Sequence, residues 1–253
     1  MPEKSHRYKA IFSSDWNECL APCGPFDCIS FAYPQLAPGL ETIFKQYTGN
    51  RISLGQAASH IRKLLPGPIT TEQMDAYLDK YFSTYQGVPE LIEWCRGNDI
   101  LFMINTTGLL GYFQRIFAKG LLPIVPVLSA HPMIRYPGQD TDPPHVYELL
   151  EIEDKGSNSA AMMRTLKVPP AKIILMGDSG GDGPHFRWGA DTGAFLIGSM
   201  TKPSLQEYCQ SRSILIDCRF GLTYAQGEKR DPEKERQIDF MALTSSVAEF
   251  LGC

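Results

Sequence analysis

Short, continuous apolar runs separated by helical stretches are the feature that most constrains the fold of this sequence. Such runs are typical of strands buried on both faces, as in a parallel sheet covered by helices on each side. The predicted strands are Tyr8–Ser14, Ile100–Ile104, Leu122–Leu128, Lys172–Met176 and Ala194–Ile197, with Ile214–Ile216 as a shorter candidate. The predicted helices between them include Leu109–Ala118 and Ser157–Lys167. The sequence therefore predicts an α/β fold with a parallel sheet covered by helices on both faces.

This alternation is interrupted once, between the first two strands, by a long segment with a helical pattern. From about Ile29 to Cys95, apolar residues recur at helical spacing. Residues 53–56 and 70–73 have the form of a capping box, in which a hydroxyl and an amide side chain satisfy the first backbone N–H groups of a helix. We therefore expect an all-helical domain, residues 23–95, inserted into an α/β core formed by residues 1–22 and 96–253.

The composition excludes several classes of protein. The chain of 253 residues is 43% hydrophobic and 21% charged, which is typical of a globular protein with a large core. Its formal net charge is −4, so no overall positive field would attract it to nucleic acid. No apolar stretch reaches the roughly 18 residues of a membrane span, and the N-terminal Met1–Arg7 is polar. We expect a cytoplasmic protein without nucleic-acid or membrane partners, and the sequence leaves the oligomeric state open.

The seven cysteines lack the paired spacing of a zinc site and the density of a disulfide scaffold. Cys19, Cys23 and Cys28 form the only cluster in the sequence, and their spacing fits no common metal signature. We expect most of the thiols to be free and buried.

Polar motifs directly follow three of the predicted strands. Asp15-Trp-Asn-Glu-Cys follows the first strand, Asn105-Thr-Thr-Gly the second, and Gly177-Asp-Ser-Gly-Gly-Asp the strand that ends at Met176. Lys155 opens the helical stretch before that last strand. Since the carboxyl ends of parallel strands meet at one edge of a sheet, we expect these side chains to lie close together. Each motif also has a plainer interpretation, as a helix cap, an exposed charge or a glycine-rich turn, but their order favours a site.

In the order and strand context of these motifs, the sequence resembles the haloacid dehalogenase superfamily, whose members are mostly magnesium-dependent phosphatases with a doubly wound α/β core. The resemblance extends from Tyr8 to about Gly198. The catalytic positions that it implies are Asp15, Asn17, Thr106 and Lys155. The substrate-binding positions are Thr106, Thr107, Gly108 and Lys155, and the metal-binding positions are Asp15, Asn17, Asp178 and Asp182. It also implies that the helical insertion is a cap over a small phosphorylated substrate.

The physical chemistry of phosphoryl transfer gives these residues definite roles. Attack on an anionic phosphoryl centre requires a nearby cation, and Mg²⁺ prefers carboxylate, phosphate and water oxygens. Asp15 and Asp178 are candidate ligands at adjacent strand ends, with Asp182 beside them. As the nucleophile, Asp15 would form an aspartyl-phosphate, while Thr106 donates to a phosphoryl oxygen and Lys155 balances negative charge. We therefore expect Mg²⁺ as the cofactor.

Asn17 is where the sequence departs from the superfamily pattern, because the phosphatases carry a second Asp two residues after the nucleophile. That Asp protonates the leaving group and then activates water. A carboxamide can do neither, and the loss of such acid–base help typically lowers a rate about 10²- to 10⁴-fold. The backbone carbonyl of Asn17 would still serve as a metal ligand. Glu18 and Cys19 are also unusual, because Gly and Thr are common at their positions.

Three interpretations of Asn17 stay open. In the first, the protein is a weak or atypical phosphatase that acts on a substrate with a good leaving group and leaves proton transfer to another side chain. The candidates for that side chain are Glu18, Cys19, Asp27 and His185. In the second, the site binds a phosphorylated ligand or a metal without turnover. In the third, it cleaves a carbon–phosphorus or carbon–halogen bond, although the intact acidic loop argues against a dehalogenase, which has no use for Mg²⁺. For His185, a structural role at a helix start is the alternative.

Two further sets of charges are interpreted mainly as surface. The charged run Gly227–Gln237 is predicted to be a solvated loop or helix face. Most of the basic residues of the helical insertion are also predicted to be solvated, with one of them available to the non-phosphate end of a substrate; they are Lys45, Arg51, Arg62 and Lys63. No motif assigns a role to the segment after residue 203.

Overall fold

The computed structural model describes residues 8–48 and 51–252. The polar segment Met1–Arg7 and the thiol of Cys253, on which the sequence makes predictions, lie outside the described residues. Within them, the strands are β1 (Ala10–Ser14), β2 (Ile100–Leu109), β3 (Val127–His131), β4 (His145–Glu148), β5 (Ile173–Gly177), β6 (Phe195–Thr201) and β7 (Cys218–Thr223). The α-helices are α1 (Asp27–Ala32), α2 (Ala37–Thr48), α3 (Leu54–Leu64), α4 (Thr71–Tyr81), α5 (Val88–Gly97), α6 (Leu110–Ala118), α7 (Asp154–Leu166), α8 (Gly183–Thr192), α9 (Pro203–Ser211), α10 (Pro232–Glu235) and α11 (Leu243–Leu251).

The described strands form one parallel sheet in the order β4-β3-β2-β1-β5-β6-β7. β1 is central, and its Ile11 lies opposite Leu101 of β2 on one side and Ile173 of β5 on the other. The chain thus winds outward from β1 in both directions, which confirms the predicted doubly wound α/β fold. In such a sheet, ligands bind at the carboxyl ends of the strands where the winding direction changes, here beside β1.

Alternate residues of the central strands build two apolar clusters, one on each face of the sheet, because successive side chains of a strand point to opposite faces. Phe12 and Phe102 stack in the larger cluster with their ring centroids 5.2 Å apart. Ile11 and Leu101 pack in the smaller cluster. Full burial of one such side chain stabilises a fold by about 1.5–3 kcal/mol. The continuous apolar runs of the sequence therefore reflect burial on both faces.

Among the described residues, five α-helices, α1 to α5, lie between β1 and β2, as the periodicity predicts. Both predicted capping boxes are present. Ser53 with Gln56 at α3, and Thr70 with Gln73 at α4, exchange hydrogen bonds of 2.9–3.3 Å. The apolar faces of these helices join the larger core cluster. That residues 23–95 form a separate cap domain stays a prediction.

The outer strands differ from the prediction. β3 begins at Val127 rather than Leu122. Pro123 and Pro126 explain the shift, because proline lacks the N–H group that a strand ladder requires. Ile214–Ile216 is not a strand, and β7 begins two residues after it. β7 and the exposed β4 are edge strands with few continuous apolar residues, so a search for apolar runs does not find them.

The six described cysteines are free thiols, and five of them are buried, as predicted. The one group of candidate metal ligands among the described residues contains no cysteine. No helix within residues 8–48 and 51–252 is long and apolar enough to cross a membrane.

Candidate active site

The loops after the central strands bring the predicted site residues to one edge of the sheet. Asp15 directly follows β1, and its backbone N–H donates to the carbonyl oxygen of Met176 in β5 at 3.0 Å. Thr106 lies near the end of β2, and Asp178 directly follows β5. Lys155 is the second residue of α7 and turns its buried side chain toward the same edge. The three strand ends and the start of one helix therefore meet beside β1.

The ammonium group of Lys155 lies between two carboxylates. Its Nζ is 3.2 Å from Asp15 Oδ1 and 2.5 Å from Asp182 Oδ1, and its side chain is 1% exposed. Burial alone would lower the pKa of Lys155, but the two carboxylates outweigh burial and raise the pKa above its ordinary value. Lys155 is thus a fixed buried charge, and the alternative of an exposed lysine is wrong.

The acidic loop after β5 holds its second carboxylate through the backbone. Asp182 Oδ2 accepts hydrogen bonds from the N–H groups of Asp178 and Ser179 at 2.9 and 3.2 Å. Burial favours the neutral form of Asp182, but Lys155 and these N–H groups outweigh burial and hold its pKa below the usual range. Gly177 permits this packing, because a Cβ at that position would lie 2.5 Å from the Asp182 side chain. Asp182 therefore stays ionised.

Asp15 and Asp178 are buried where the charged form of a carboxyl is disfavoured. Burial raises the pKa of Asp15, with Lys155 opposing the shift. Burial also raises the pKa of Asp178 to about 7, against the opposing effect of Lys202. One carboxylate oxygen from each of Asp15, Asp178 and Asp182 lies within 4.8 Å of the other two. Negative charges at that spacing are stabilised by a further cation.

Two basic residues that no motif indicates reach the same cluster. Lys202, directly after β6, has its Nζ 2.7 Å from Asp178 Oδ2 and 2.5 Å from Glu18 Oε2. Arg230 Nη1 is 3.6 Å from Asp178 Oδ2 and 3.7 Å from Glu18 Oε2. The place of Lys202 at a strand end is a usable sequence signal. Nothing in the charged run distinguishes Arg230 from its neighbours.

The prediction that the run Gly227–Gln237 is solvated is therefore wrong at Arg230 and Glu235. The Glu235 side chain is 2% exposed and accepts a hydrogen bond from Arg230 Nε at 2.8 Å. The hydroxyls of Tyr85 and Tyr224 donate to its two oxygens at 2.6 Å each. Although burial favours neutral Glu235, these donors lower its pKa. The segment after residue 203 thus supplies an arginine to the site together with its buried counter-charge.

The charge balance of this cluster fits a divalent metal ion. Among the described residues, five carboxylates (Asp15, Glu18, Asp178, Asp182, Glu235) face three cations (Lys155, Lys202, Arg230), so the formal net charge is −2. Asp178 Oδ1 is buried and has no hydrogen-bond partner in the described chain. Such an oxygen is suited to coordinate Mg²⁺, which prefers oxygen ligands. The three aspartates thus fit the expected ion.

Asn17 lies between the end of β2 and the loop that follows β1. Its Nδ2 donates to the carbonyl oxygen of Cys23 at 3.3 Å, and its Oδ1 accepts from the Thr106 hydroxyl at 3.3 Å. Gly108 permits this contact, because a Cβ there would lie 2.8 Å from Asn17 Oδ1. The position that carries an acid in the superfamily pattern therefore holds a neutral amide fixed at both ends.

The side chains considered as substitutes for that acid are differently placed. His185 Nε2 is 3.0 Å from Ser159 Oγ, and burial lowers the His185 pKa to about 3, which makes the imidazole neutral at pH 7. Burial raises the pKa of the Cys19 thiol well above its ordinary value. Asp27 is exposed and accepts a hydrogen bond from the Gly24 N–H at 2.7 Å. Neither His185 nor Cys19 changes charge near neutral pH, which favours the structural interpretation of His185.

Tyr47 of α2 brings the helical insertion to the site. Burial raises the pKa of Tyr47 to about 12, and Lys155, Asp15 and the Thr107 side chain are close enough to act on that pKa. The basic residues predicted to be mostly solvated are exposed: Lys45, Arg51, Arg62 and Lys63. The insertion thus contributes a tyrosine, and not one of these four cations, to the edge of the cluster.

A second contact joins the insertion to the core at the N-terminus of α3. Glu151, in the loop before α7, accepts hydrogen bonds at Oε1 from Ser53 Oγ at 2.7 Å and from the Gly55 N–H at 3.1 Å. A carboxylate at a helix N-terminus is stabilised by the unpaired N–H groups and the helix dipole.

Beside Glu18, a groove of about 230 Å³ opens between α1 and α2, with Phe26 in its wall.

Comparisons with known proteins agree with this fold. No protein-family model matches the sequence, and no curated protein matches it significantly. Solved structures do match. A phosphoserine phosphatase, solved as an analogue of its phospho-aspartyl intermediate, has a TM-score of 0.65 at 15% identity, over 94% of this chain and 99% of that chain.

Two further structures give similar values. A haloacid dehalogenase family hydrolase from Salmonella enterica subsp. enterica serovar Typhi has a TM-score of 0.62 at 16% identity, over 84% of this chain and 68% of that chain. Cytosolic 5′-nucleotidase IIIB bound to cytidine has a TM-score of 0.59 at 12% identity, over 98% and 86%. The chain therefore has the fold of the haloacid dehalogenase phosphatases, which confirms at the level of fold the resemblance carried by the motifs.

Proposed function

We propose that this protein is a Mg²⁺-dependent phosphatase of the haloacid dehalogenase superfamily that acts on a small phosphorylated metabolite. The observation that carries the proposal is the Lys155 ammonium between Asp15 and Asp182, next to the buried carboxylate of Asp178. This cluster combines a candidate nucleophile, a fixed cation and a set of oxygen ligands. A purely structural ion-pair network would be expected to give Asp178 Oδ1 a donor, and none is present among the described residues.

In the proposed reaction, Asp15 attacks phosphorus. A carboxylate oxygen of Asp15 forms a bond to phosphorus as the bond to the leaving oxygen breaks, which gives an aspartyl-phosphate; water then releases phosphate and restores Asp15. Mg²⁺ bound by the three aspartates would neutralise charge on the phosphoryl group. In this proposal, Lys155 orients Asp15 and offsets the added negative charge. The Thr106 hydroxyl, which here donates to Asn17 Oδ1, would donate to a phosphoryl oxygen when substrate is bound.

Asn17 makes the proposed activity atypical. Its amide, fixed by Cys23 and Thr106, can donate or accept a hydrogen bond but cannot transfer a proton. The leaving oxygen would therefore depart without protonation from this position. We expect turnover to be slow on ordinary phosphomonoesters and faster on those with a leaving group that is stable as an anion.

We propose further that the helices of residues 23–95 act as a lid on the core formed by residues 1–22 and 96–253. The proximity of Tyr47 to Thr107 and the contacts of Glu151 with the start of α3 support this division. A closed lid excludes water, which strengthens the electrostatic interactions within the site. The groove beside Glu18 would receive the part of the substrate that is not phosphoryl, while Thr106, Thr107, Gly108 and Lys155 bind the phosphoryl group.

A second candidate function is binding of a phosphorylated ligand without turnover. The neutral amide of Asn17 at the acid position is the observation that favours it. The two candidates differ in one measurable respect: the binding protein would be stabilised against heat by Mg²⁺ with inorganic phosphate, yet would release no phosphate from any ester.

The test measures phosphate release from a panel of phosphomonoesters with and without Mg²⁺. Wild type is compared with Asp15→Asn, Asn17→Asp and, as a control, Asp140→Asn at an exposed aspartate. We expect Mg²⁺-dependent turnover by wild type, none by Asp15→Asn, and wild-type turnover by Asp140→Asn. Full activity of Asp15→Asn would exclude Asp15 as the nucleophile, and absence of turnover with retained phosphate binding would favour the second candidate.

Asn17→Asp is the variant that tests directly whether an acid at position 17 restores proton transfer. A carboxyl at position 17 would face the Cys23 carbonyl oxygen, now 3.3 Å from Asn17 Nδ2, and two acceptors repel each other unless the carboxyl is protonated. That environment favours the protonated form that a general acid requires. Restored acid–base catalysis should raise the turnover rate about 10²-fold or more. An unchanged rate would mean that proton transfer at position 17 does not limit the reaction.

A further inference from the structure

Lys202 places a protein cation on the carboxylate that is proposed to bind the metal. Its Nζ lies 2.7 Å from Asp178 Oδ2, and its backbone N–H donates to the Asp178 carbonyl oxygen at 2.8 Å. Both the main chain and the side chain of Lys202 are thus tied to this residue. Pro203, the first residue of α9, further restricts the backbone that carries the ammonium group. The Lys202 ammonium is therefore held next to Asp178.

Glu18 is the other partner of this ammonium. Glu18 Oε2 lies 2.5 Å from Lys202 Nζ, and Arg230 Nη1 lies 3.7 Å from the same oxygen. Glu18 takes part although its φ of 58° is in the left-handed region, which residues with a Cβ rarely adopt. The backbone of Glu18 is strained, yet its carboxylate is ion-paired with two cations. This combination points to a role for the carboxylate.

The Lys202 ammonium and a divalent cation would compete for the negative charge of the Asp178 carboxylate. Asp178 Oδ1 is without a donor in the described chain, whereas Oδ2 faces Lys202 and, at 3.6 Å, Arg230. A metal ion on Asp178 would therefore be repelled by a neighbouring ammonium of like sign. Glu18 counters this repulsion, because it offers the ammonium a second carboxylate.

We infer that Glu18 and Lys202 form a counter-charge pair that sets the affinity of the site for its divalent cation. Lys202 weakens metal binding by neutralising Asp178, and Glu18 strengthens it by holding the ammonium when the metal takes Asp178. The inference rests on the metal site of the proposed function and does not depend on the substrate or on turnover. Neither residue is assigned as a metal ligand.

The test is calorimetric titration of the full chain with Mn²⁺ as the probe. Lys202→Met removes the competing charge, so it should bind Mn²⁺ about tenfold more tightly than wild type. Glu18→Gln leaves Lys202 with Asp178 alone, so it should bind about tenfold more weakly. The double variant changes no net charge and should return to within a few-fold of wild type.

Opposite shifts are the signature of the pair, because general damage to the site would weaken binding in both variants. Lys229→Met and Glu207→Gln, at exposed positions near Arg230 and on α9, are the matched controls and should leave the affinity unchanged. Circular dichroism checks that each variant is folded. Should Lys202→Met fail to fold, Glu18→Gln alone still tests the sign of the effect.

Asp178→Asn distinguishes failure of the proposed metal site from failure of the counter-charge inference. If it abolishes Mn²⁺ binding while Lys202→Met leaves the affinity equal to that of wild type or weaker, the counter-charge inference is wrong and the metal site stands. An unchanged affinity in Glu18→Gln overturns the role given to Glu18. If Asp178→Asn binds Mn²⁺ as wild type does, the metal site itself is misplaced, and the inference is overturned with it.

Discussion

Arg230 Nη2 donates a hydrogen bond of 2.8 Å to the carbonyl oxygen of Glu18, 212 positions earlier in the chain. Glu18 lies three residues after Asp15 and has a φ of 58°. For a residue other than glycine, this conformation costs roughly 1–2 kcal/mol. The hydrogen bond from Arg230 and the ion pair with Lys202 offset that cost. The C-terminal part of the chain therefore fixes the loop that carries the proposed nucleophile.

Replacing Arg230 with methionine should destabilise the protein by about 3 kcal/mol, because Glu235 would be left buried without its cation. The carbonyl of Glu18 would also lose its donor. Urea unfolding monitored by circular dichroism measures the change. The exposed neighbour Lys229 gives the control, since Lys229→Met should stay within about 0.5 kcal/mol of wild type. Equal stability of the two variants would mean that the Glu235 network does not hold the loop.

Gly177 is expected to tolerate no side chain. A Cβ there would lie 2.5 Å from the Asp182 carboxyl, which is held by two backbone N–H groups and Lys155 and so cannot move away cheaply. Gly177→Ala should therefore lower stability by about 1–3 kcal/mol, as overpacking of a rigid site does. Thermal unfolding measures the effect.

Gly97 provides the contrast for this experiment. It is the last residue of α5, and apart from its chain neighbours and the backbone of its own helix, no described atom lies within 4 Å of a Cβ built there. Gly97→Ala should therefore be neutral or stabilise the protein by up to about 1 kcal/mol, because alanine favours helix. A similar loss of stability in both alanine variants would contradict the close approach of Asp182 to Gly177.

The central sheet could be predicted because its strands are buried on both faces and therefore carry uninterrupted apolar runs. Asp15, Thr106 and Asp178 could be placed together for a related reason: each lies near or just after the carboxyl end of a strand, and parallel strands end at one edge. Edge strands such as β7 were not predictable in this way, since one side of the strand has no neighbour and its exposed residues alternate with half-buried ones.

Arg230 and Glu235 show what the local pattern cannot reveal. In the sequence both are members of a charged run, and such runs are usually solvated. Their burial depends on Tyr85, Tyr224 and Glu18, which are distant in the chain or belong to other elements and supply the partners of each charge. A tertiary ion-pair network of this kind leaves no periodicity, and only the fold brings its members together.

His185 should make stability depend on pH in the acid range. Burial lowers its folded-state pKa to about 3, whereas an unfolded histidine titrates near its ordinary value of about 6.5. Below pH 6.5, the unfolded chain binds a proton that the folded chain does not, so the stabilising contribution at neutral pH is lost as the pH falls from about 6.5 to 3. Between pH 7 and pH 5, His185 should account for a loss of about 2 kcal/mol.

Urea unfolding of wild type and His185→Gln at pH 7 and pH 5 isolates this contribution. Glutamine reaches a similar position to the Nε2 of histidine and can retain the hydrogen bond to Ser159, but it does not titrate. Its stability should therefore fall by about 2 kcal/mol less than that of wild type over the same interval. Identical pH dependence of the two proteins would show that His185 is not held neutral by burial.

Glu151 should control how readily the start of α3 separates from the core. Its carboxylate accepts from Ser53 Oγ and from the Gly55 N–H, and it is stabilised by the helix N-terminus. Glu151→Gln keeps the shape but removes the charge, which should weaken the contact by about 0.5–1 kcal/mol. Hydrogen–deuterium exchange should then be about two- to fivefold faster at the Gly55 and Gln56 amides, with α7 unchanged. Glu153→Gln, at an exposed position two residues further on, is the control. Unaltered exchange at Gly55 in Glu151→Gln would show that this contact does not hold the start of α3 against the core.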